Sequence, residues 1–147
     1  MINSALSSNG LMISMLIEGF PVAVVESFGD SPISWTDREV VERILTPDNL
    51  PKNIVKNASY ICTLSLTHDS IICKSLQRVC GDNIGRKGMS YKKPPKIQMT
   101  VTNLAADTII PEVYTQGTVT SVPAGSSADS TRFQDYNFII AFHEKKV

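Results

Sequence analysis

Residues 57–80 read NASYICTLSLTHDSIICKSLQRVC, and two periods meet inside them. Tyr60, Cys62, Leu64 and Leu66 make an apolar row, alternating with Ile61, Thr63, Ser65 and Thr67, which turn polar toward the end. Alternation puts successive side chains on opposite faces, so the spacing predicts a strand, here over 54–67, with one buried face. After THDS the period lengthens. Asp69 or Ser70 can cap a helix. Ile72, Leu76 and Val79 then fall at i, i+4 and i+7 on one helical face, with Lys74, Gln77 and Arg78 pointing elsewhere. Gly81 is the expected stop. Ile72, Leu76 and Val79 are therefore the candidate helix-to-sheet packing set.

Toward the N-terminus, residues 1–9 are small and polar and are expected to be loose. Residues 11–18 alternate, with Leu11, Ile13, Met15 and Ile17 on one side and Met12, Ser14 and Leu16 on the other. Gly19 and Pro21 supply a turn, and VAVVESF reads as a return strand that completes a hairpin. The segment GDSPISWTDREVVERILTPDNLPKN, 29–53, changes character. Pro32, Pro47 and Pro51 punctuate it, and Asp37, Arg38, Glu39, Glu42 and Arg43 interleave both signs of charge. TDREVVERIL satisfies two readings. It is a short helix capped by Thr36 or Asp37 with Val40, Val41 and Ile44 on one face, or a strand rising into an arm, so 37–45 stays open between helix and strand. Either way 29–53 is expected to protrude and to contact a partner, with Trp35 as apolar anchor and Asp37, Arg38, Glu39, Glu42 and Arg43 as inter-subunit charges. Such an arm is expected to order only when a neighbour supplies its contacts.

Toward the C-terminus, GDNIGRKGMSYKKPPK (81–96) is a loop carrying Arg86, Lys87, Lys92, Lys93 and Lys96 around Tyr91. It can be read as a phosphate contact or as a solvated face. With 14 basic and 14 acidic residues in the chain, the solvated face is preferred. Residues 97–105 alternate as a strand. Residues 107–125 are strand-like, with Pro111 demoting the first half to an edge or bulge. SSADS is a flexible tip. In 132–144 the row Tyr136, Phe138, Ile140 and Phe142 is the better core candidate. The whole is one domain, 1–147. It is mainly β, a sandwich or barrel of six to seven antiparallel strands with one short packing helix and a long protruding arm.

Catalytic chemistry is not visible. Cys62, Cys73 and Cys80 are odd in number and lack C-x-x-C spacing, which argues against a disulfide framework or a zinc site. Cys73 and Cys80 are separated by roughly 10 Å along a helix axis at its 1.5 Å rise, too far for an undistorted bridge. His68 and His143 have no metal-ligand partner at useful spacing. GDNIGRKG matches neither phosphate-binding glycine pattern. Asn57-Ala58-Ser59 is a sequon without a secretory signal beside it, and GLMISMLIEGF is too short to span a bilayer. No catalytic residue, cofactor or metal is expected, and the chain reads as something other than an enzyme.

The order of elements resembles the tail tube proteins of tailed bacteriophages. A hairpin and a long arm come first. ASYICTLSLTHDS then leads into IICKSLQRVC, and KIQMTVTNLA and an aromatic strand follow. The literal likeness lies in residues 58–80, where Thr63-Leu64-Ser65-Leu66 with Ser70 and Leu76 matches a strand running straight into a short helix. This likeness implies a virion structural protein made in the host cytoplasm. Its copies would stack as hexameric rings around a lumen through which DNA passes without sequence-specific binding. It also implies contact with sheath, baseplate and tail terminator proteins, and no membrane partner. A baseplate tube initiator shares the plan. A small monomeric β-barrel that binds a ligand is the reading of another class.

Overall fold

The computed structural model describes residues 11–18, 23–24, 28–56, 58–67, 70–82, 94–104 and 108–146, without the side chains of 23–24, 28–32 and 81–82. In chain order the elements are β1 Leu11–Ile17, β2 Ala23–Val24, β3 Phe28–Trp35, β4 Val41–Leu45, β5 Pro51–Val55 and β6 Tyr60–Leu66. Next come the helix α1 Ile71–Leu76 with a π-helical turn Gln77–Asp82, then β7 Ile97–Asn103, β8 Glu112–Ser121, β9 Tyr136–Phe142 and β10 Glu144–Lys146. All strand pairings are antiparallel. One eight-stranded sheet runs β2-β1-β7-β8-β9-β6-β3, with β10 beside β8, and β4 pairs only with β5. The expected mainly β architecture with one short helix is what the chain adopts.

The curled sheet closes on its own apolar rows. β1 and β7 contribute Ile13, Met15, Ile17, Ile97, Met99 and Val101, and β6 and β9 contribute Cys62, Leu64, Leu66, Tyr136, Phe138, Ile140 and Phe142, all buried. Each large side chain so placed stabilises the fold by roughly 1.5–3 kcal/mol relative to exposure. The strand expected over 54–67 is in fact two, because β5 ends at Val55 and β6 starts at Tyr60. The helix packs through Cys73, Leu76 and Cys80, all buried, while Ile72 and Val79 are partly buried at the flanks of the same contact. The face is centred between the cysteines because thiols pack as small hydrophobes, which a count of aliphatic residues overlooks. Gly81 does not end the helix, since the π turn carries on through it to Asp82. Ser70 stands at the N-cap; Asp69 and His68 lie outside the described residues.

β8 serves two neighbourhoods. Its first half lies between β7 and β10, and its second half lies beside β9. The partners Thr115↔Glu144 and Thr118↔Ala141 keep one register, so β9 and β10 are one strand bent at His143. The His143 N–H donates to the Thr115 carbonyl at 3.2 Å. Opposite it Gln116 takes φ 54, and Gly117 follows. A Cβ on Gly117 would run into the Phe142 ring and stand 2.8 Å from the Ile97 carbonyl oxygen. Pro111 stands just before β8, so it ends the preceding segment instead of making an edge within the strand. The expected flexible tip is ordered. Asp129 Oδ1 accepts from the Thr131 N–H (2.8 Å), the Thr131 hydroxyl (2.7 Å) and the Arg132 N–H (2.9 Å), and Oδ2 accepts from Gln134 Nε2 (2.6 Å). A short side chain aimed at its own following amides is a turn device, and here it closes the bridge Ala128–Phe133.

Candidate functional site

The site is a hairpin that leaves the sheet. Within 37–45 the structure has no helix: 37–40 are irregular and Val41–Leu45 is the strand β4. β4 and β5 pair Val41↔Val55, Arg43↔Asn53 and Leu45↔Pro51 on one face and Glu42↔Ile54 and Ile44↔Lys52 on the other. The tip is a turn made by Pro47, Asp48 and Asn49. The Asn49 N–H donates to the Thr46 carbonyl at 2.9 Å, and the Thr46 N–H and hydroxyl donate to the Leu50 carbonyl at 3.1 and 3.0 Å. Asn49 is left-handed at φ 59, a conformation its short amide side chain tolerates. Both faces expose aliphatic side chains. Val41, Leu45 (69%) and Val55 (82%) are exposed on one, Ile44 and Ile54 on the other, and Leu50 (61%) at the tip. A lone two-stranded hairpin is at best marginal in water, and apolar surface exposed on both its faces is the kind that marks an interaction site.

The base of the hairpin is a break in a ladder. Pairing in β3–β6 runs up to Trp35↔Cys62, continues with the Thr36 N–H on the Ile61 carbonyl (2.9 Å), and resumes with the Lys56 N–H on the Val40 carbonyl (2.8 Å). Side chains span the interval. Arg38 donates through Nε (3.0 Å) and Nη2 (2.8 Å) to the Ala58 carbonyl, and its guanidinium carbon sits 3.9 Å above the centre of the Tyr60 ring. From the other leg, Lys56 Nζ reaches Glu39 and Glu42 at 3.2 Å each. Its bonds to Glu39 and then Glu42 hold the ammonium pKa above the ordinary lysine value.

The expected contact residues do not sit alike. Trp35 belongs to β3 and not to the projecting part. It is half-buried, stacked on Tyr114 with centroids 4.3 Å apart and tilted against Phe142 at 6.3 Å. Its apolar partner is thus within the chain, and the arm starts after it, not at residue 29. Arg38 is half-buried in the base, and Glu39 and Glu42 hold Lys56, while Asp37 and Arg43 are exposed. Sequence reasoning missed Val55, Leu45 and Leu50 as the exposed apolar set, and missed Tyr60 as a platform for Arg38. The alternation Val41, Arg43, Leu45 followed by T-P-D-N was the available signal for a strand and a turn. Of the basic loop, Lys96 is exposed and its N–H donates to Glu18 Oε2 at 3.0 Å; Arg86, Lys87, Tyr91, Lys92 and Lys93 lie outside the described residues, as does Asn57.

Elsewhere the chemistry is quiet. Burial pushes the Cys62 thiol up to about 12 and those of Cys73 and Cys80 to about 11, so all three stay protonated at neutral pH and are poor nucleophiles. All three are free thiols. Among the described residues no cluster of His, Cys, Asp or Glu is placed to hold a metal ion. A groove of about 380 Å³ lies on the outer side of β1 and β7, lined by Leu16, Lys96, Gln98, Thr115 and Gln116 among others.

This architecture has a counterpart. A chain in the cryo-EM structure of the anti-feeding prophage (AFP) baseplate, 6-fold symmetrised, superimposes with a TM-score of 0.55 at 14% identity, over 99% of this chain and 96% of that one. The likeness is one of fold. No family model matches the sequence, and no curated protein does.

Proposed function

We propose that this chain is the repeating structural subunit of a phage-tail-like tube, stacked as hexameric rings in a virion or a related injection particle, and that it has no catalytic role. The carrying observation is the β4–β5 hairpin, which exposes aliphatic side chains on both faces and finds no cover among the described residues. A neighbouring copy is the natural cover in a homo-oligomer. The full-length fold likeness to a component of a 6-fold assembly supports the same reading. So does the outer surface of the sheet. Among its described outward residues, Ile61 and Thr63 on β6, Gln98 and Thr100 on β7, and Asn137, Ile139 and Ala141 on β9 carry no charge, with Glu144 beside Thr115 and Lys96 as the charges near them. A channel wall with so few charges gives a passing polymer little fixed charge to bind.

Negative-stain electron microscopy of the purified protein tests the proposal. Stacked rings or filaments are expected, and deletion of residues 40–56 should leave a folded sheet that no longer assembles. A monodisperse small monomer at high protein concentration would sink the proposal in favour of a ligand-binding barrel using the groove beside Gln98. Because the structural counterpart comes from a baseplate, the second reading is a ring that starts a tube. Single rings that do not elongate would favour it over a repeating subunit.

A further inference from the structure

We propose that the hairpin is set in its projecting direction before any partner arrives, and that Arg38 is the residue that sets it. The backbone ladder stops at Thr36–Ile61 and restarts at Val40–Lys56. A break of that kind is where a two-stranded ribbon swivels, because among the described residues no backbone hydrogen bond between those points fixes one half against the other. Arg38 fills the break. Its fork supplies the Ala58 carbonyl with donors that the opposite strand would otherwise give, and its flat face lies on Tyr60. Tyr60 in turn stands edge-on to Tyr114, which carries the stacked Trp35. The orientation of the hairpin is thereby referred, side chain by side chain, to the aromatic end of the core.

The two clasps at the base differ in kind. Lys56 is bound by opposite charges at a solvent-exposed position, and such pairs fade as salt shortens the screening length to about 3 Å at 1 M. Arg38 is bound by a neutral carbonyl and a ring, with its guanidinium half-buried, and these contacts are far less sensitive to salt. Arg38 is therefore the fastening that holds under all ionic conditions, and Lys56 an auxiliary that holds only at low salt. A preset hairpin loses little entropy on docking, so assembly need not fold it first. That last consequence rests on the assembly reading, whereas the preset direction does not.

Spin labels at the tip and on the sheet test this in the full chain. Asp48→Cys and Asn137→Cys place labels at exposed positions, while Cys62, Cys73 and Cys80 are buried and resist labelling. The pair is measured spin-diluted in unlabelled protein, so that any assembly adds no distances between copies. With Arg38 present, the electron–electron distance distribution should be narrow at low salt and at high salt. With Arg38→Ala it should stay fairly narrow at low salt and broaden severalfold at high salt. Lys56→Gln should leave it narrow throughout. If Arg38→Ala fails to fold, Arg38→Lys serves, because an ammonium cannot present the fixed fork. A broad distribution in the unsubstituted base, or a narrow one at high salt without the guanidinium, overturns the proposal. Absence of rings under the microscope would count against the tube reading alone and leave these distances to judge the clasp.

Discussion

The ladders β6–β9 and β4–β5 are built alike and buried unlike. Both are antiparallel, both alternate, and both carry aliphatic residues at directly opposed positions. In β6–β9 the largest apolar residues share one face, with only Ile61, Ile139 and Ala141 on the other, and Leu64 and Phe138, which face each other, are fully buried. In β4–β5 the apolar residues are split between faces, and Val55 is 82% exposed. Pairing alone therefore does not make a stable sheet; the layer behind it does. One ladder finds that layer in its own chain, and the other does not find it among the described residues.

Substitutions should show the same contrast in opposite readouts. Leu76, fully buried under the sheet, should cost about 2–5 kcal/mol on truncation to alanine, seen as a lower denaturation midpoint. An unchanged midpoint would remove α1 from the core. Gly117→Ala comes next, since the added methyl meets the Phe142 ring and a carbonyl oxygen that cannot move cheaply. Overpacking of this sort costs about 1–3 kcal/mol, and chemical denaturation would measure it. Leu45→Ser with Val55→Ser should change stability by less than about 0.5 kcal/mol per site, as exposed positions do, yet light scattering should show assembly lost. If the melt moves instead, the hairpin is covered within its own chain. The smallest effect concerns pH. Accepted hydrogen bonds, first from the Thr131 hydroxyl and then from the Thr131 and Arg132 amides, hold the Asp129 carboxyl well below its usual range. A depressed acid contributes order above its unfolded pKa, about 4, and loses it as pH falls toward the folded value. The Thr131 and Arg132 amide resonances should therefore shift at more acidic pH than a free aspartate would dictate, while those of the core stay put. Movement centred at an ordinary aspartate pKa would show that the tip is not built on Asp129.

The core was legible in the sequence because its rows are long and one-sided. Ile13-Met15-Ile17, Cys62-Leu64-Leu66 and Phe138-Ile140-Phe142 each keep period two on a face that the fold buries. The arm was not, and the reason is physical. In TDREVVERIL, Val40, Val41 and Ile44 satisfy a helical stripe as well as a strand, and strand spacing without one-sided burial gives no reason to choose. The packing of the tryptophan was hidden for a related reason. Its sequence neighbours are charged, so it looked unpartnered, but its ring meets Tyr114 from the distant strand β8. Nothing in the sequence near Arg38 announced a carbonyl acceptor on the far side of a hairpin, and that contact became visible only with the ladder break in place.

The shared strand β8 has a consequence for how the molecule comes apart. Because one backbone pairs with β7 and β10 through its first half and with β9 through its second, loss of β8 would separate the two halves of the sheet at once. Local opening should thus be confined to the margins, such as the Asp129 tip and the turn of Pro47, Asp48 and Asn49. The rest should exchange its amide hydrogens as one cooperative unit, with β1 and β6 giving the same opening free energy although they never touch through their backbones. If the proposed tube forms, its subunits would yield under load all at once or not at all.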